Sequence, residues 1–391
     1  MTLAANARSM HHLKQTTLPL AGNCASGGWL IFLKTDRLLK TFSHTPRRIR
    51  LPALILTALL FVLILAGCST PEANEQVLTL QGNTMGTTYQ VLWVDPADRA
   101  IDPATLQKQI DARLAEINVA MSTYDPASEI SSLNQQTKAS RVGISADFYQ
   151  TLLISKRVFD QSGGYFDPTV GPLVDLWGFG PEGRILKRPS AAQVKEVMTQ
   201  VGFDQIDLSV NNQVLKPAGV HLDLSAVAKG YGVDQVAGVL AAQGIASYFV
   251  EIGGEVQTRG FKPDGSKWIV GLEAPVVGEV SIESALALSD QALATSGNYR
   301  NFYEVDGETY AHTINPLTGN PARNRLLSVS VLSDRCAVAD AWATALMSMG
   351  EDKALKVAQE NQLTTQMLVA DGDKIKTRVT GNFEQYRYTV N

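Results

Sequence analysis

The chain has 391 residues, of which 45% are hydrophobic and 18% are charged, with 31 glycines, 16 prolines and three cysteines. This composition is typical of a folded globular protein and excludes the collagen-like, disordered and disulfide-framework classes. Residues 1–67 hold eight Lys and Arg against one acid, so residues 68–391 carry a formal charge of −11, which argues against a nucleic-acid-binding protein because such a protein needs a basic surface.

The basic N-terminal part has the pattern of a secretory signal peptide. Arginines within residues 46–50 precede an uncharged run, Leu51–Leu65, which is short for a membrane span, and small residues follow it at a cleavage site. The sequence Leu-Ala-Gly-Cys at 65–68 resembles the bacterial lipobox, which implies cleavage before Cys68 and lipidation of its sulfur. An uncleaved anchor helix that ends in a chance cysteine is the alternative.

The division of the chain follows from this interpretation. Residues 1–45 show no clear hydrophobic periodicity, and we interpret them as a start assigned too early or an unstructured extension. Residues 46–67 are then the lipoprotein signal peptide, residues 68–76 a lipidated tether, and residues 77–391 the folded domain. Cys336 is the one cysteine left without lipid, so no intramolecular disulfide is expected, and a buried structural role is favoured over a nucleophile.

Four helices are predicted in chain order from hydrophobic spacing and capping residues. Leu106, Ile110, Leu114 and Ile117 share one face of the first, and Ser145 is the expected N-cap of the second. The four helices are predicted to cover residues 106–117, 145–163, 190–200 and 225–244.

Strands are predicted where β-branched and aromatic residues cluster. These segments are Val220–Leu222, Tyr248–Ile252, Lys267–Leu272, Leu326–Leu332, Gln366–Val369 and Lys374–Thr380. The last two flank a turn sequence, Asp-Gly-Asp at 371–373, which indicates a hairpin. Because helices and strands alternate but several strand pairs are hairpin-like, we predict a mixed α/β or α+β domain instead of a strictly doubly wound sheet.

Several well-known catalytic motifs are absent. The sequence has no G-x-x-x-x-G-K-[ST], H-E-x-x-H, paired CxxC or G-x-S-x-G, and residues 68–391 contain only two histidines. P-loop phosphoryl transfer, zincin, zinc-finger and serine-hydrolase functions therefore lose their main support.

Glycine-, aspartate- and threonine-rich junctions are the candidate binding sites instead. Residues 82–89 hold two glycines that let the backbone approach a ligand, or they form a plain turn into a strand. Residues 164–172 form an aromatic loop that suits stacking on a flat ring or plugs a core. Asp223 precedes a helix whose first N–H groups suit an anion, with Lys229 as a nearby cation, or else Asp223 only caps that helix. Glu255 follows two glycines, which indicates a close-approach site or a bulge.

Two further segments carry side chains suited to catalysis. His312 lies in an apparent strand before an Asn-Pro turn, where it is either a structural residue or a catalyst. Asp340 and Thr344 are spaced i and i+4, so both lie on one helical face and can ligate a hard cation such as Mg²⁺. The alternative is that the Thr344 hydroxyl bonds back to the carbonyl of residue 340.

Together and in this order, these segments resemble the ApbE family of flavin transferases. The resemblance covers residues 77–385 and is carried by segments at 85–89, 121–124, 166–173, 176–180, 223–230, 253–255, 312–316 and 340–344. It implies an ApbE-like (T-fold-like) domain with mixed sheets flanked by helices. It also implies Mg²⁺-dependent transfer of FMN from the substrate FAD to a Thr or Ser hydroxyl, with loss of AMP.

The resemblance also assigns roles to individual residues. FAD-contacting positions are matched by Met85, Tyr124, Tyr165, Phe166, Asp167, Asp223, Lys229 and Ile314. Asp340, Thr344 and the backbone carbonyl of Ala226 match the metal ligands. His312 matches the family's motif histidine and is the expected general base, with Asp223 as the alternative. Asn315 stands where many members have Asp, so residue 315 is given no ionised role.

The family implies partners and a location as well. Its targets are subunits of the Na⁺-translocating NADH:quinone reductase and Rnf electron-transport complexes, and its members are lipoproteins of the bacterial cell envelope. We therefore expect a periplasm-facing protein of a Gram-negative bacterium, anchored through Cys68, and Ser69 weakly favours the outer membrane. Two other functions stay open at this point, an FAD pyrophosphatase that yields FMN and AMP, and a non-catalytic flavin-binding lipoprotein.

Overall fold

The computed structural model describes residues 76–180, 183, 185, 187–275, 281–298, 302–305 and 308–389. The predicted signal peptide, the predicted lipidation site Cys68 and nearly all of the predicted tether lie outside these residues. No helix in the described ranges is long and apolar enough to cross a membrane.

The helices and strands of the described residues are numbered in chain order. The helices are α1 (Pro103–Met121), α2 (Glu129–Asn134), α3 (Ala146–Ser162), α4 (Gly171–Leu176), α5 (Ala191–Val197), α6 (Ser225–Ala242), α7 (Cys336–Met349) and α8 (Glu351–Glu360). The strands are β1 (Val77–Thr84), β2 (Thr87–Val94), β3 (Ser140–Gly143), β4 (Gln213–Lys216), β5 (Ser247–Ile252), β6 (Glu255–Arg259), β7 (Trp268–Glu273), β8 (Ile282–Leu288), β9 (Ala292–Gly297), β10 (Phe302–Val305), β11 (Glu308–Ala311), β12 (Ile314–Asn315), β13 (Asn320–Pro321), β14 (Leu326–Ser333), β15 (Thr364–Asp371), β16 (Lys374–Thr380) and β17 (Arg387–Tyr388).

An eight-stranded sheet forms the centre of the fold, in the order β1-β2-β5-β6-β9-β14-β15-β16. A second sheet has the order β17-β8-β7, and β3-β4, β10-β11 and β12-β13 form pairs. The α+β fold class is therefore confirmed. The expected mixed sheets are corrected, since the large sheet is antiparallel throughout: hairpins join β1 to β2, β5 to β6 and β15 to β16, and the remaining pairs are antiparallel as well.

Alternating side chains give the large sheet two apolar faces. On β14, Val329 and Val331 belong to the main core cluster, whereas Leu332 belongs to a second cluster with residues of β7 and β8. Leu293 of β9 belongs to the second cluster in the same way. Because successive strand residues point to opposite faces, the helices cover one face of the large sheet and the three-stranded sheet packs on the other.

The predicted helices are present, with small shifts at their ends. The predicted face of α1 is buried, with Ile110 and Ile117 fully inaccessible. Ser145 caps α3 by accepting the Phe148 N–H, and Gly163 ends that helix in a left-handed conformation. The third predicted helix is shorter than expected, because α5 ends at Val197 and a tighter turn follows it.

One predicted strand, Val220–Leu222, is wrong. The segment forms no strand pairing in the described structure. The side chain of Asn134 instead donates to the carbonyl of Leu222 and accepts from its N–H, both at 2.8 Å. A side-chain amide thus satisfies the backbone groups that a neighbouring strand satisfies in a sheet, and the extended chain is free to enter α6.

The packing of α6 against the start of α7 fixes the geometry of the site. A Cβ added at Gly230 of α6 would lie 2.5 Å from the carbonyl oxygen of Cys336, so only glycine permits this approach. Asp234, one turn further along α6, accepts from the N–H groups of Cys336 and Ala337 at 2.7 and 3.3 Å. Cys336 itself is a free, fully buried thiol, as predicted.

Candidate active site

A cavity of about 1230 Å³ lies beside the junction of α6, α7 and the ends of β5 and β6. It exceeds the roughly 300–1,000 Å³ of most small-molecule sites, which suits an elongated ligand. The structure brings eleven of the sequence-predicted site residues to its wall. These residues are Tyr124, Tyr165, Phe166, Asp167, Asp223, Ala226, Lys229, His312, Ile314, Asp340 and Thr344.

Met85 is the one predicted FAD-contacting residue, all of which lie in the described ranges, that does not line the cavity. It occupies the two-residue turn between β1 and β2 with a positive φ of 49°, followed by Gly86 with a φ of 71°. This conformation matches a type I′ hairpin turn. The Met85 side chain packs on α6, where its Cε would lie 3.0 Å from a Cβ at Gly232.

The aromatic loop before α4 combines core packing with cavity lining. Phe166 is buried in the main core, as the plugging interpretation expects. The Tyr165 ring lies 4.6 Å from the Lys353 ammonium, and its carbonyl accepts from the Ser348 hydroxyl of α7 at 2.8 Å. Tyr124 stands at the rim with 72% of its surface exposed. An exposed ring and a half-buried ring therefore face the same space.

The Asp167 carboxylate holds the loop itself. It accepts from the Thr169 N–H at 2.7 Å and from the Phe203 N–H at 3.2 Å. Burial raises the pKa of this carboxyl above its ordinary value, although those hydrogen bonds oppose the shift. The Asp167 carboxylate therefore faces the cavity while it is already hydrogen-bonded to the backbone of the protein.

Asp223 lies in the turn before α6 and faces the cavity. Its Oδ1 accepts from the N–H of Ser225, the first residue of α6, at 2.9 Å, whereas the N-cap position itself is Leu224, which has no side-chain capping bond. Its own N–H donates to the Pro168 carbonyl at 2.7 Å, which ties the start of α6 to the aromatic loop. The two predicted FAD-binding segments are thus joined by a backbone hydrogen bond.

Three charged side chains meet at the wall of the cavity, and we call Lys229, Glu255 and Asp340 the charge cluster. The Lys229 Nζ lies 2.7 Å from Glu255 Oε1 and 4.0 Å from Asp340 Oδ1. Asp340 Oδ2 accepts from the Gly230 N–H at 3.0 Å. Glu255 is only 3% exposed, and its Oε2 has no hydrogen-bond partner among the described residues.

The charge cluster holds two carboxyl groups and one ammonium, and burial and neighbouring charges shift the pKa values of Glu255 and Lys229. Burial raises the pKa of Glu255 to about 7, against the opposing effect of the Lys229 ammonium. Burial alone would lower the pKa of Lys229, but the negative charges of Asp340 and Glu255 outweigh it and hold that pKa above its ordinary value. A further cation or a donor from a ligand at this position would favour the ionised form of Glu255.

The donors on α6 and α7 fit a hard divalent cation. Thr344 forms no back-bond of the kind that joins the Thr151 hydroxyl to the Asp147 carbonyl at 2.8 Å, so its oxygen is available beside Asp340. The Gly230 N–H donates to Asp340, and in a regular helix the same N–H pairs with the carbonyl of Ala226. Asp340 thereby competes with the Ala226 carbonyl for the Gly230 N–H, and Ala226 lines the cavity. Carboxylate, hydroxyl and carbonyl oxygens are the ligands that Mg²⁺ prefers.

His312 lies between β11 and β12 with its ring 6.5 Å from that of Phe179, edge to face. Its neighbour Thr313 is tied down by a 2.9 Å hydrogen bond to Asn298. Asn315 accepts from the Leu317 N–H at 3.0 Å and so shapes the turn with a neutral side chain. No ionised group is needed at 315 for this role.

Sequence reasoning singled out the turn at 253–255 but gave Glu255 no role. The turn has positive φ at both Gly253 and Gly254, and a Cβ at Gly253 would lie 3.4 Å from the Lys229 side chain. A carboxylate directly after such a pair of glycines, at the start of a strand, is the signal that points to Glu255. Phe179, from the predicted segment 176–180, and residues 295–297 of β9 also line the cavity, and no local pattern distinguishes 295–297.

Comparisons with known proteins give a consistent result. The model of the ApbE family matches residues 85–369. Curated relatives named FAD:protein FMN transferase include one from Vibrio cholerae, 42% identical with 85% of this chain and 98% of the relative covered, and one from Haemophilus influenzae, 38% identical with 85% and 97% covered. The solved flavin transferase ApbE from Vibrio cholerae has 39% identity and a TM-score of 0.74, covering 80% of this chain and 99% of its own. The Pseudomonas stutzeri flavinyl transferase ApbE, in its apo form, has 33% identity and a TM-score of 0.74, with 80% and 97% covered.

Proposed function

The chain belongs to the ApbE family and is an FAD:protein FMN transferase, and we propose that it uses Mg²⁺ to pass FMN from FAD to a Thr or Ser hydroxyl of its target, with release of AMP. The observation that carries the proposal is the single cavity shared by His312, the charge cluster and the Thr344 hydroxyl. A binder without catalytic function needs no such convergence of a base and oxygen donors.

In this proposal Asp340, Thr344 and the Ala226 carbonyl hold the divalent cation. When bound there, the cation neutralises charge on the pyrophosphate of FAD as a Lewis acid. Lys229 adds a fixed positive charge on the same side, and its pairing with Glu255 keeps the ammonium at the cavity wall. The buried Glu255 Oε2, which has no hydrogen-bond partner within the described part of the chain, supports the fit, because a nearby cation would favour the ionised form of Glu255.

His312 is proposed as the general base. The acceptor hydroxyl oxygen attacks the phosphorus on the FMN side of the pyrophosphate, its proton passes to the His312 imidazole, and the bond to the AMP phosphate oxygen breaks. Histidine suits this task because its unperturbed pKa is about 6.5. Asp223 is the alternative base, although its Oδ1 already accepts from Ser225.

The FAD-contacting residues are proposed by the same resemblance. Tyr124, Tyr165, Phe166 and Asp167 would border the flavin or adenine ring, and Ile314 adds an apolar contact from the buried side. Asp223 and Lys229 would lie nearer the phosphates. Met85 would contribute from the β1–β2 turn, which requires its side chain to leave its packing on α6.

The acceptors and the location are also proposals. The acceptors would be subunits of Na⁺-translocating NADH:quinone reductase or Rnf-type complexes, which face the same compartment as a lipoprotein anchored through Cys68. The sequence pattern of residues 46–68 supports the anchor. Labelled palmitate incorporated into the wild type and absent from Cys68→Ala in the expressing bacterium tests it.

The test of the reaction uses the purified full chain in detergent with FAD, Mg²⁺ and an acceptor subunit. We expect covalent FMN on the acceptor, seen as in-gel flavin fluorescence and a matching mass increase, and lost with EDTA. Steady release of AMP in the absence of acceptor, without labelling in its presence, would identify an FAD pyrophosphatase instead. If neither labelled acceptor nor AMP is formed, the protein would be a flavin-binding lipoprotein.

Removing the His312 imidazole tests the proposed base. We expect His312→Gln to lower the transfer rate by about 10²- to 10⁴-fold, the usual contribution of a positioned general base. FAD affinity, measured by flavin fluorescence quenching, should stay close to that of the wild type. Asp223→Asn is the matched variant, and a larger loss in it than in His312→Gln would assign the proton transfer to Asp223.

A further inference from the structure

We infer that Glu255 is a positioning residue which holds the Lys229 ammonium away from Asp340 and so keeps the Asp340 carboxylate available for the divalent cation. The inference rests on the proposed function, because the cation is the one proposed at Asp340, Thr344 and Ala226. It concerns a residue outside that ligand set, and it explains why a carboxylate stands directly after the glycine turn.

The distances define the competition. Lys229 Nζ is 2.7 Å from Glu255 Oε1 and 4.0 Å from Asp340 Oδ1, so the ammonium lies between two carboxylates and is in hydrogen-bond contact with only one of them. A lysine side chain is flexible and carries a point charge. If its partner is removed, a shift of little more than 1 Å brings it onto Asp340, where it would displace a cation from that oxygen.

The glycine turn keeps Glu255 in this role. Positive φ values at Gly253 and Gly254 bring the backbone against the Lys229 stem, with 3.4 Å between a Cβ at Gly253 and Lys229 Cδ. The turn is fixed from the other side by Glu251, whose Oε1 accepts from the Gly254 N–H at 2.6 Å. Glu255 therefore begins β6 with its carboxylate directed at the Lys229 ammonium.

Burial makes the pairing strong enough to control the lysine. Glu255 is 3% exposed, so its carboxylate receives little help from solvent. Its Oε1 is bonded to Lys229 and its Oε2 is without a partner among the described residues. A buried carboxylate in this state holds an ammonium firmly, because losing it would leave the charge uncompensated.

Two substitutions of Glu255 distinguish a role in holding the Lys229 ammonium from a role that depends only on the negative charge of Glu255. Both Glu255→Gln and Glu255→Met remove the negative charge, but only glutamine retains an oxygen that can accept from the Lys229 ammonium. The binding of Mn²⁺ to the purified full chain, with no flavin present, is measured from the electron paramagnetic resonance signal of the free ion. We expect Glu255→Met to weaken Mn²⁺ binding by about 10- to 100-fold, the range seen when a supporting partner of a metal ligand is lost, and Glu255→Gln to weaken it less than a third as much.

A double variant tests the same competition from the side of the lysine. Lys229→Met in the Glu255→Met background removes the displaced ammonium together with its lost partner. We expect this double variant to bind Mn²⁺ more tightly than Glu255→Met does. The gain in Mn²⁺ affinity should be larger than the gain that Lys229→Met alone produces in the wild type. Glu251→Gln alters the same turn while keeping its acceptor for Gly254, so Mn²⁺ affinity should stay within about twofold.

The outcomes distinguish this inference from the proposed function. Equal weakening by glutamine and methionine would overturn it, because charge alone would then explain the effect. Full Mn²⁺ affinity in Glu255→Met, together with loss of binding in Asp340→Ala, would overturn it and leave the cation site standing. If the wild type binds no Mn²⁺ that Asp340→Ala removes, both fail.

Discussion

Two charged clusters lie on opposite sides of α6, and they differ in how many of their polar atoms have hydrogen-bond partners. The first is the charge cluster, in which a buried Glu255 oxygen has no hydrogen-bond partner among the residues that the structure describes. The second, which we call the Asp147 network, joins α1, α3 and α6. Its members are Arg113, Glu116, Asp147, Tyr231 and Gln235.

The Asp147 network is saturated. The Asp147 carboxylate accepts from Arg113 Nη1 and from the Tyr231 hydroxyl, each at 2.7 Å, and Arg113 also donates to Gln235 at 2.8 Å. Arg113 and Asp147 side chains keep about a fifth of their surface in solvent. A saturated network stabilises the packing of three helices, whereas a buried carboxylate oxygen without a partner is costly unless a ligand completes it. We therefore expect the Asp147 network to serve the fold and propose that the charge cluster serves the reaction.

The same chemical change on the two sides of α6 gives the largest expected difference. Asp340→Asn retains an oxygen for the Gly230 N–H but loses its charge, so we expect transfer to fall more than about 100-fold with less than about 1 kcal/mol change in the free energy of unfolding. Asp147→Asn should lower the free energy of unfolding by about 1 to 3 kcal/mol and leave transfer within about threefold. Initial transfer rates and urea unfolding measure both, and a reversed pattern would refute the contrast.

Two threonines sharpen the comparison at the level of single hydroxyl groups. Thr344→Val removes an oxygen with no back-bond, and we expect transfer to fall about tenfold while the free energy of unfolding changes by less than about 0.5 kcal/mol. Thr151→Val removes a hydroxyl that donates to the Asp147 carbonyl, which should cost about 1 kcal/mol of stability and no activity. If Thr344→Val were destabilising and fully active, Thr344 would belong with the structural group.

The smallest expected effect is a pH dependence of stability. The hydrogen bond from Arg113 holds the pKa of Asp147 below its ordinary value of 3.8, with burial opposing the shift. Stabilisation by this carboxylate is therefore fully present above pH 3.8 and is lost as the pH falls through the lower folded value. Urea unfolding between pH 7 and pH 3 should show the difference between the wild type and Asp147→Asn shrinking at the acidic end. A constant difference would contradict this assignment.

The sequence was sufficient for the elements whose signals are local. Ser145 and Gly163 mark both ends of α3, and the apolar spacing of α1 predicts its buried face. The segment Val220–Leu222 has the composition of a strand, but its pairing partner is the side chain of Asn134, 88 residues away. No local pattern reveals such a partner, because it depends on how α2 packs in the finished fold.

The candidate site divides in the same way. Residues with distinctive chemistry, such as Asp340 and His312, could be singled out because few side chains bind a hard cation or accept a proton near neutral pH, and the structure places both at one cavity. Glu255 stood in a segment already noted, but its importance depends on burial and on the lysine opposite, which are properties of the folded chain. Likewise, the sequence predicts that sheets and helices pack together in one domain. The antiparallel order of the main sheet depends on how its strands are connected in the folded chain, which local patterns do not reveal.

The hydrogen bond from Gly230 to Asp340 joins residues 110 positions apart in the sequence. During synthesis α6 is therefore complete long before the segment that carries Asp340 and Thr344 exists. Closing so long a loop costs entropy that only later contacts repay, and such contacts form late in folding. The aromatic loop and the start of α6 can thus assemble in a chain that still lacks α7, and such an incomplete chain holds part of the cavity wall without the proposed oxygen donors of α7.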